Sequence, residues 1–249
     1  MRARKSFTSN GLIPTSSGYG TGAFLALSVR HNNGVMTFEE YLVAWARLHG
    51  SPSPKGIVKI WLRISFTLST PLTRFNPNLI TLVGPVLMVT AILIAAKPAN
   101  YFFLASLLVL LVGLVDSFDG IVAVRTSRTS QWGSFLDGIV DRFIDVGIGV
   151  LLIVLGAPVE LAILAFTIAL VHEYMRAKAS GIGLREVGVI TPAEKPTRIA
   201  IGVMFLFACG LLPANAEQLA TIAAVAWLFL GVVSFVMLML SFKKLLHRD

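Results

Sequence analysis

The sequence predicts an all-α integral membrane protein with six transmembrane helices and an N-terminal amphipathic juxtamembrane helix. Three observations lead there. Of 249 residues, 55% are hydrophobic and only 14% charged, against about 25% charge in an ordinary soluble domain. Six apolar segments approach the roughly 20 residues that span a bilayer. The cations fall almost entirely on one side of those segments. One cysteine excludes a disulfide framework and a cysteine-based zinc site.

Residues 1–36 are rich in Ser, Gly, Thr and Asn and lack a helical period, which predicts a disordered cytoplasmic tail. Its basic start is not followed by an apolar run, so no signal peptide is expected. Residues 37–74 form the juxtamembrane region. Thr37-Phe38-Glu39-Glu40 fits a capping box and opens a short helix with Phe38, Tyr41, Leu42 and Trp45 at near-helical spacing. Ser51-Pro52-Ser53-Pro54 breaks it. Residues 56–72 combine Ile57, Ile60, Trp61, Ile64 and Phe66 with Lys59 and Arg63, the composition of a helix lying in the headgroup plane.

The spans follow at Asn78–Ala96, Tyr101–Val124, Ser134–Gly156, Pro158–Ala179, Thr197–Leu212 and Gln218–Leu240, within a domain at 75–241. They are read as helices because a spanning segment must satisfy its own backbone. Short connections marked by Gly or Pro join them. Residues 242–249 are a basic tail. With six spans, every Lys and Arg except Lys97 lies on one side. The positive-inside rule makes that side cytoplasmic, with both termini there and the cell membrane as the location. The net charge of +8 is then a topological signal, and no nucleic-acid partner is expected.

Five of the 13 acids fall in one window: Asp116, Asp119, Asp137, Asp141 and Asp145. Asp116 and Asp119 are spaced i, i+3 at the end of the second span. Asp137 and Asp141 are spaced i, i+4 at the start of the third. Each pair shares a helix face, and a short loop makes the helices antiparallel neighbours. Four carboxylates therefore converge at one depth, where they need counter-charge. Hard oxygen ligands suit Mg²⁺ or Mn²⁺, and two such ions are a common device for displacement at phosphorus. Gly120 and Gly133 allow close approach to the backbone.

These residues resemble the CDP-alcohol phosphotransferases. That family carries Asp-x-x-Asp-Gly-x-x-Ala-Arg, a spacer of about eight residues, then Gly-x-x-x-Asp-x-x-x-Asp. Asp116, Asp119, Gly120, Ala123, Gly133, Asp137 and Asp141 fit without a gap. The arginine position holds Val124, and Arg125 follows it. Asn76-Pro77-Asn78-Leu79-Ile80-Thr81 is similar to the entry of the family's first span. The resemblance implies transfer of a phosphatidyl group from CDP-diacylglycerol or a related CDP-lipid to an alcohol, with release of CMP. It implies metal ligation by Asp116, Asp119, Asp137 and Asp141, with Asp141 also the candidate general base. It places Gly120, Ala123, Arg125, Ser130 and Gly133 near the nucleotide, and it implies a homodimer. Asp145 lies one turn deeper and is read as a partner for Arg142 or a support behind the ligands.

Between or at the ends of the fourth and fifth spans, Arg176, Lys178, Lys195 and Arg198 form a cation group suited to a phosphorylated acceptor. Tyr174-Met175-Arg176-Ala177-Lys178-Ala179 and Ala193-Glu194-Lys195-Pro196-Thr197-Arg198 resemble the phosphatidylinositol-phosphate synthase branch. Inositol phosphate is the first choice of acceptor, with glycerol 3-phosphate or another sugar phosphate second. His172 and Glu173 receive no role. A transporter using intramembrane carboxylates and a membrane prenyltransferase are the alternatives from other classes.

Overall fold

The computed structural model describes residues 36–49, 53–184 and 190–247. The expected disordered tail lies outside them except for Met36. Arg185 and Arg248 also lie outside them. Eight α-helices occur among the described residues: α1 Phe38–His49, α2 Gly56–Leu68, α3 Pro77–Ala95, α4 Phe102–Arg125, α5 Gln131–Val154, α6 Val159–Gly181, α7 Lys195–Leu211 and α8 Ala216–Leu246. No strand occurs there.

The helix starts follow local chemistry. The Thr37 backbone N–H donates to Glu40 Oε2 at 2.7 Å, and the Glu40 N–H donates to Thr37 Oγ1 at 3.3 Å. That is the reciprocal capping box expected for α1. Asn76 caps α3 by accepting from the Asn78 N–H at 3.0 Å, with Pro77 in the first turn. Ser130 caps α5 by accepting from the Gly133 N–H at 2.9 Å. This cap starts α5 three residues before the apolar run. At the other end of the chain, α8 continues to Leu246, into the residues expected to form a tail. Phe242 is buried with Leu238 against Ala179 of α6, so packing carries the helix beyond the apolar stretch.

The six long helices close a ring. α3 packs on α4 and α5, α4 on α7, α7 on α8, α8 on α6, and α6 on α5. Small residues set the close approaches, as is common between membrane helices. A Cβ at Gly113 of α4 would sit 3.0 Å from Ile199 of α7, and one at Gly202 of α7 would sit 3.3 Å from Val109 of α4. The interior holds Val109, Val112, Ile148, Leu151, Leu206 and Trp227, all fully buried. The outside is equally apolar: Val86, Leu93, Phe143, Phe229 and Leu240 are each at least 62% exposed. Large apolar side chains on every outer face suit a lipid solvent rather than water. By length and composition, α3, the segment Ala99–Arg125 containing α4, and the segment Pro213–Leu246 containing α8 are suited to cross a membrane. The other three long helices differ for a readable reason. α5 and α6 each carry four charged residues within their length, and α7 has 17 residues.

The N-terminal helices dock at the carboxylate end of α4. Met36, Tyr41, Leu42 and Leu62 bury Ile121 and Val124 in a separate apolar cluster. Trp61 Nε1 donates to Ser117 Oγ at 3.0 Å, which ties α2 to the turn between Asp116 and Asp119. Ile60, Ile64 and Leu68 of α2 point outward.

Candidate functional site

The turn from α4 to α5 brings the acidic helix ends together. It spans only five residues and closes through Ser127 at a φ of +54°. Asp116 of α4 and Asp137 and Asp141 of α5 place carboxylate oxygens within 4.8 Å of one another. Asp119 stands beside this trio and is 6% exposed. Its Oδ1 accepts from the Gly120 N–H at 2.6 Å. Its Oδ2 is buried with no hydrogen-bond partner among the described residues. Nothing lies within 4 Å of a Cβ built at Gly120, so the backbone beside Asp119 is open to a ligand. Gly133 is tighter: a Cβ there would lie 3.1 Å from both Asn78 Oδ1 and Ser130 Oγ.

The donor set fits a hard divalent cation. Three oxygen ligands from two rigid helices converge, and a fourth acid beside them has an uncommitted oxygen. In this structure the counter-charges are the Lys195 ammonium, which donates to Asp116 Oδ1 and Asp141 Oδ1, and the Arg142 guanidinium, 3.7 Å from Asp141 Oδ2. Two cations do not balance four acidic charges, and bound divalent ions would balance the set.

The basic residues separate into distinct environments. Lys195 sits at the acidic cluster with its side chain 15% exposed. Arg176 reaches Glu194 Oε1, and Lys178 is exposed on the same helix. Arg198 is completely buried. Its Nε lies 2.9 Å from Asp145 Oδ1, and its Nη2 donates to Glu173 Oε1 at 3.0 Å. Arg125 also has a defined place, away from the carboxylates. Its Nη1 donates to Phe66 O at 2.9 Å and Thr70 Oγ1 at 3.2 Å, and the guanidinium stacks 4.1 Å from the Phe66 ring centroid. The neighbouring motif position, Val124, is turned into the apolar cluster under α1. Ala123 is half-buried on α4, and Ser130 is committed to its cap.

Sequence reasoning left Glu173 and His172 without roles. Glu173 pairs with Arg198 and stands 3.7 Å from Arg142 Nη1. Buried His172 Nε2 shares a 3.0 Å hydrogen bond with Thr191 Oγ1. Two polar residues inside an apolar helix were the available signal. Thr191 and Glu194 lie in a loop without periodicity, and only the fold shows that Glu194 Oε1 accepts from the Thr191 N–H at 3.0 Å.

The chain is similar to known proteins. The family model described as CDP-alcohol phosphatidyltransferase matches residues 74–241. Phosphatidylinositol phosphate synthase of Cutibacterium acnes is 30% identical over 196 residues, covering 74% of this chain and 94% of the relative. Archaetidylinositol phosphate synthase of Aeropyrum pernix is 36% identical over 131 residues, covering 51% and 65%. The fold is similar to the crystal structure of Mycobacterium tuberculosis phosphatidylinositol phosphate synthase with CDP-DAG bound. The TM-score is 0.53 at 24% identity, covering 71% of this chain and 90% of that one. The spaced acids on α4 and α5, the apolar outer faces and the match over residues 74–241 lead to one conclusion: this membrane protein belongs to the CDP-alcohol phosphatidyltransferase family.

Proposed function

We propose that this protein transfers the phosphatidyl-type group of a CDP-linked lipid to a hydroxyl of inositol phosphate and releases CMP. The observation that carries the reading is the convergence of Asp116, Asp137 and Asp141 with the Lys195 ammonium. A metal-ligand set and a candidate phosphate-binding cation meet at one point. The names of the relatives from C. acnes and A. pernix support the choice of acceptor.

Each group has a task in this reading. Asp116, Asp119, Asp137 and Asp141 would hold two Mg²⁺ or Mn²⁺ ions. When bound, these ions screen the diphosphate charge for attack and for departure of CMP. Asp141 accepts the proton of the acceptor hydroxyl, since an alcohol is a weak nucleophile until that proton is removed. The hydroxyl oxygen bonds to the lipid-side phosphorus, and the bond from that phosphorus to the bridging oxygen breaks. The open backbone at Gly120 and the half-buried Ala123 line the nucleotide approach, with Gly133 and Ser130 at the opposite helix start. Lys195, Arg176 and Lys178 attract the acceptor phosphate. Arg125 acts from outside the cluster by fixing α2 to the end of α4.

The six long helices cross the cell membrane with the acidic cluster at the cytoplasmic face. α1 and α2 lie at that face, and the outward Ile60, Ile64 and Leu68 seat α2 in the headgroup region. The protein works as a homodimer.

The test incubates purified protein with CDP-diacylglycerol, Mg²⁺ or Mn²⁺ and a panel of phosphorylated polyols. Release of CMP with inositol phosphate is the expected result. Release with glycerol 3-phosphate alone would reassign the acceptor. Divalent-dependent ion flux without CDP-lipid turnover would replace the transferase reading.

A further inference from the structure

One polar network lies behind the acidic site and meets it only through Arg142, which stands 3.7 Å from Asp141 Oδ2. Asp145 of α5 and Arg198 of α7 are both completely buried. Arg142 Nε lies 3.3 Å from Asp145 Oδ2. Arg198 Nε lies 2.9 Å from Asp145 Oδ1, and its Nη2 reaches Glu173 of α6 at 3.0 Å. Two cations and two anions from three helices thus form one cluster, with Arg142 shared with Asp141 of the acidic site. The same Arg198 guanidinium turns back on its own chain. Its Nη1 donates to Ala193 O at 3.1 Å, and the Ala193 N–H donates to buried Ser234 Oγ of α8 at 2.9 Å. The turn leading into α7 is therefore fastened to α5, α6 and α8 through one side chain and one peptide.

Lys195 begins the next turn, three residues before Arg198. Residues at i, i+3 share a helix face, and here that face meets acids at two depths. Arg198 engages Asp145, and Lys195 engages Asp116 and Asp141. The rotation and depth of the first turn of α7 are fixed by the deeper pair. A lysine ammonium on a four-carbon stem has wide reach and loose direction, so the helix must supply the aim.

We propose that Arg198 is a positioning residue that aims Lys195 at the transfer centre, rather than a ligand of the acceptor phosphate. A guanidinium with no exposed surface, held by two carboxylates and a carbonyl, has no face left for a phosphate. The role rests on the reading of Lys195 as the acceptor-phosphate cation, and part of its test needs no turnover.

The first measurement is amine acylation of Lys195, followed by mass spectrometry on the full chain in detergent with EDTA. In the wild type, two carboxylates shield the ammonium and labelling is slow. Arg198→Gln should speed it by about tenfold or more, since loss of one partner of a buried ion pair is strongly disruptive. Glu173→Gln removes one partner of Arg198 and leaves Asp145. It should shift labelling in the same direction by less, and it serves where Arg198→Gln does not fold. The second measurement is a cycle of Arg198→Gln and Lys195→Ala read on the KM for the acceptor. A residue acting through Lys195 gives a double variant little worse than Lys195→Ala alone. Arg198→Lys should recover part of the acceptor KM, and the KM for the CDP-lipid should stay near wild type in the single Arg198 variants. Unchanged labelling in both folded variants, or acceptor effects that multiply, would overturn the positioning role. If no polyol phosphate is consumed by the wild type, the proposed reaction fails, while labelling still decides whether Arg198 aims Lys195.

Discussion

Asp145→Asn is the sharpest single perturbation of the buried network. The substitution keeps the shape of the side chain and removes one charge. Asp145 is completely buried and stands within 3.3 Å of Arg142 and 2.9 Å of Arg198. Without it, Arg198 faces Glu173 alone, while Arg142 keeps only Glu173 and Asp141, each at 3.7 Å. Removing one partner of a buried ion pair costs about 3–5 kcal/mol. The amide oxygen still accepts from a charged guanidinium, which returns about 1.5–3 kcal/mol. The expected net loss is about 1–3 kcal/mol. At roughly 2–4 °C per kcal/mol for a chain of this size, the thermal midpoint should fall by about 3–12 °C. The assay is thermal unfolding in detergent, read by size exclusion of the heated sample. Adding Arg142→Gln restores one cation against one anion, so the double variant should recover part of the loss. A fall under about 2 °C, or a double variant destabilised by the sum of both singles, would refute the view that charge balance holds α5, α6 and α7 together.

The remaining predictions concern the site and the N-terminal helix. Asp141→Asn should lower CMP release by about 10²–10⁴-fold, the usual span for a positioned acid or base, while the protein still extracts as a folded species; near-normal turnover would remove Asp141 from the mechanism. EDTA should abolish turnover, and added Mn²⁺ or Mg²⁺ should restore it; retained activity after exhaustive chelation would exclude metal ligation by the four acids. Gly133→Val should raise the KM for the CDP-lipid, because the new side chain crowds Asn78 and Ser130 at the start of α5; an unchanged KM would show that this helix start does not border the nucleotide. Thr37→Ala should destabilise α1 by about 0.5–2 kcal/mol through loss of its cap. Faster amide exchange confined to α1 is the expected signature, and uniform exchange across the bundle would contradict it.

Much of the architecture was legible because hydropathy and capping are local. The apolar runs located α3 to α8, and Thr37 with Glu40 located the start of α1. The acids on α4 and α5 were legible for a similar reason. Their i, i+3 and i, i+4 spacings and a five-residue turn leave little freedom in where they point. The cations beyond α6 were another matter. Their spacing said only that they share one end of the bundle.

Sequence alone therefore determined the class, the helix order and the acidic pairs, since each follows from residues within a turn or two of one another. The tertiary structure decided which cation meets which acid. Lys195 and Arg198 lie three residues apart, yet one reaches the open cluster of Asp116 and Asp141 and the other is sealed against Asp145 and Glu173. Arg125 follows the motif position directly, yet it turns to Phe66. Long basic side chains can reach several partners, and burial at different depths, set by how distant helices pack, selects among them.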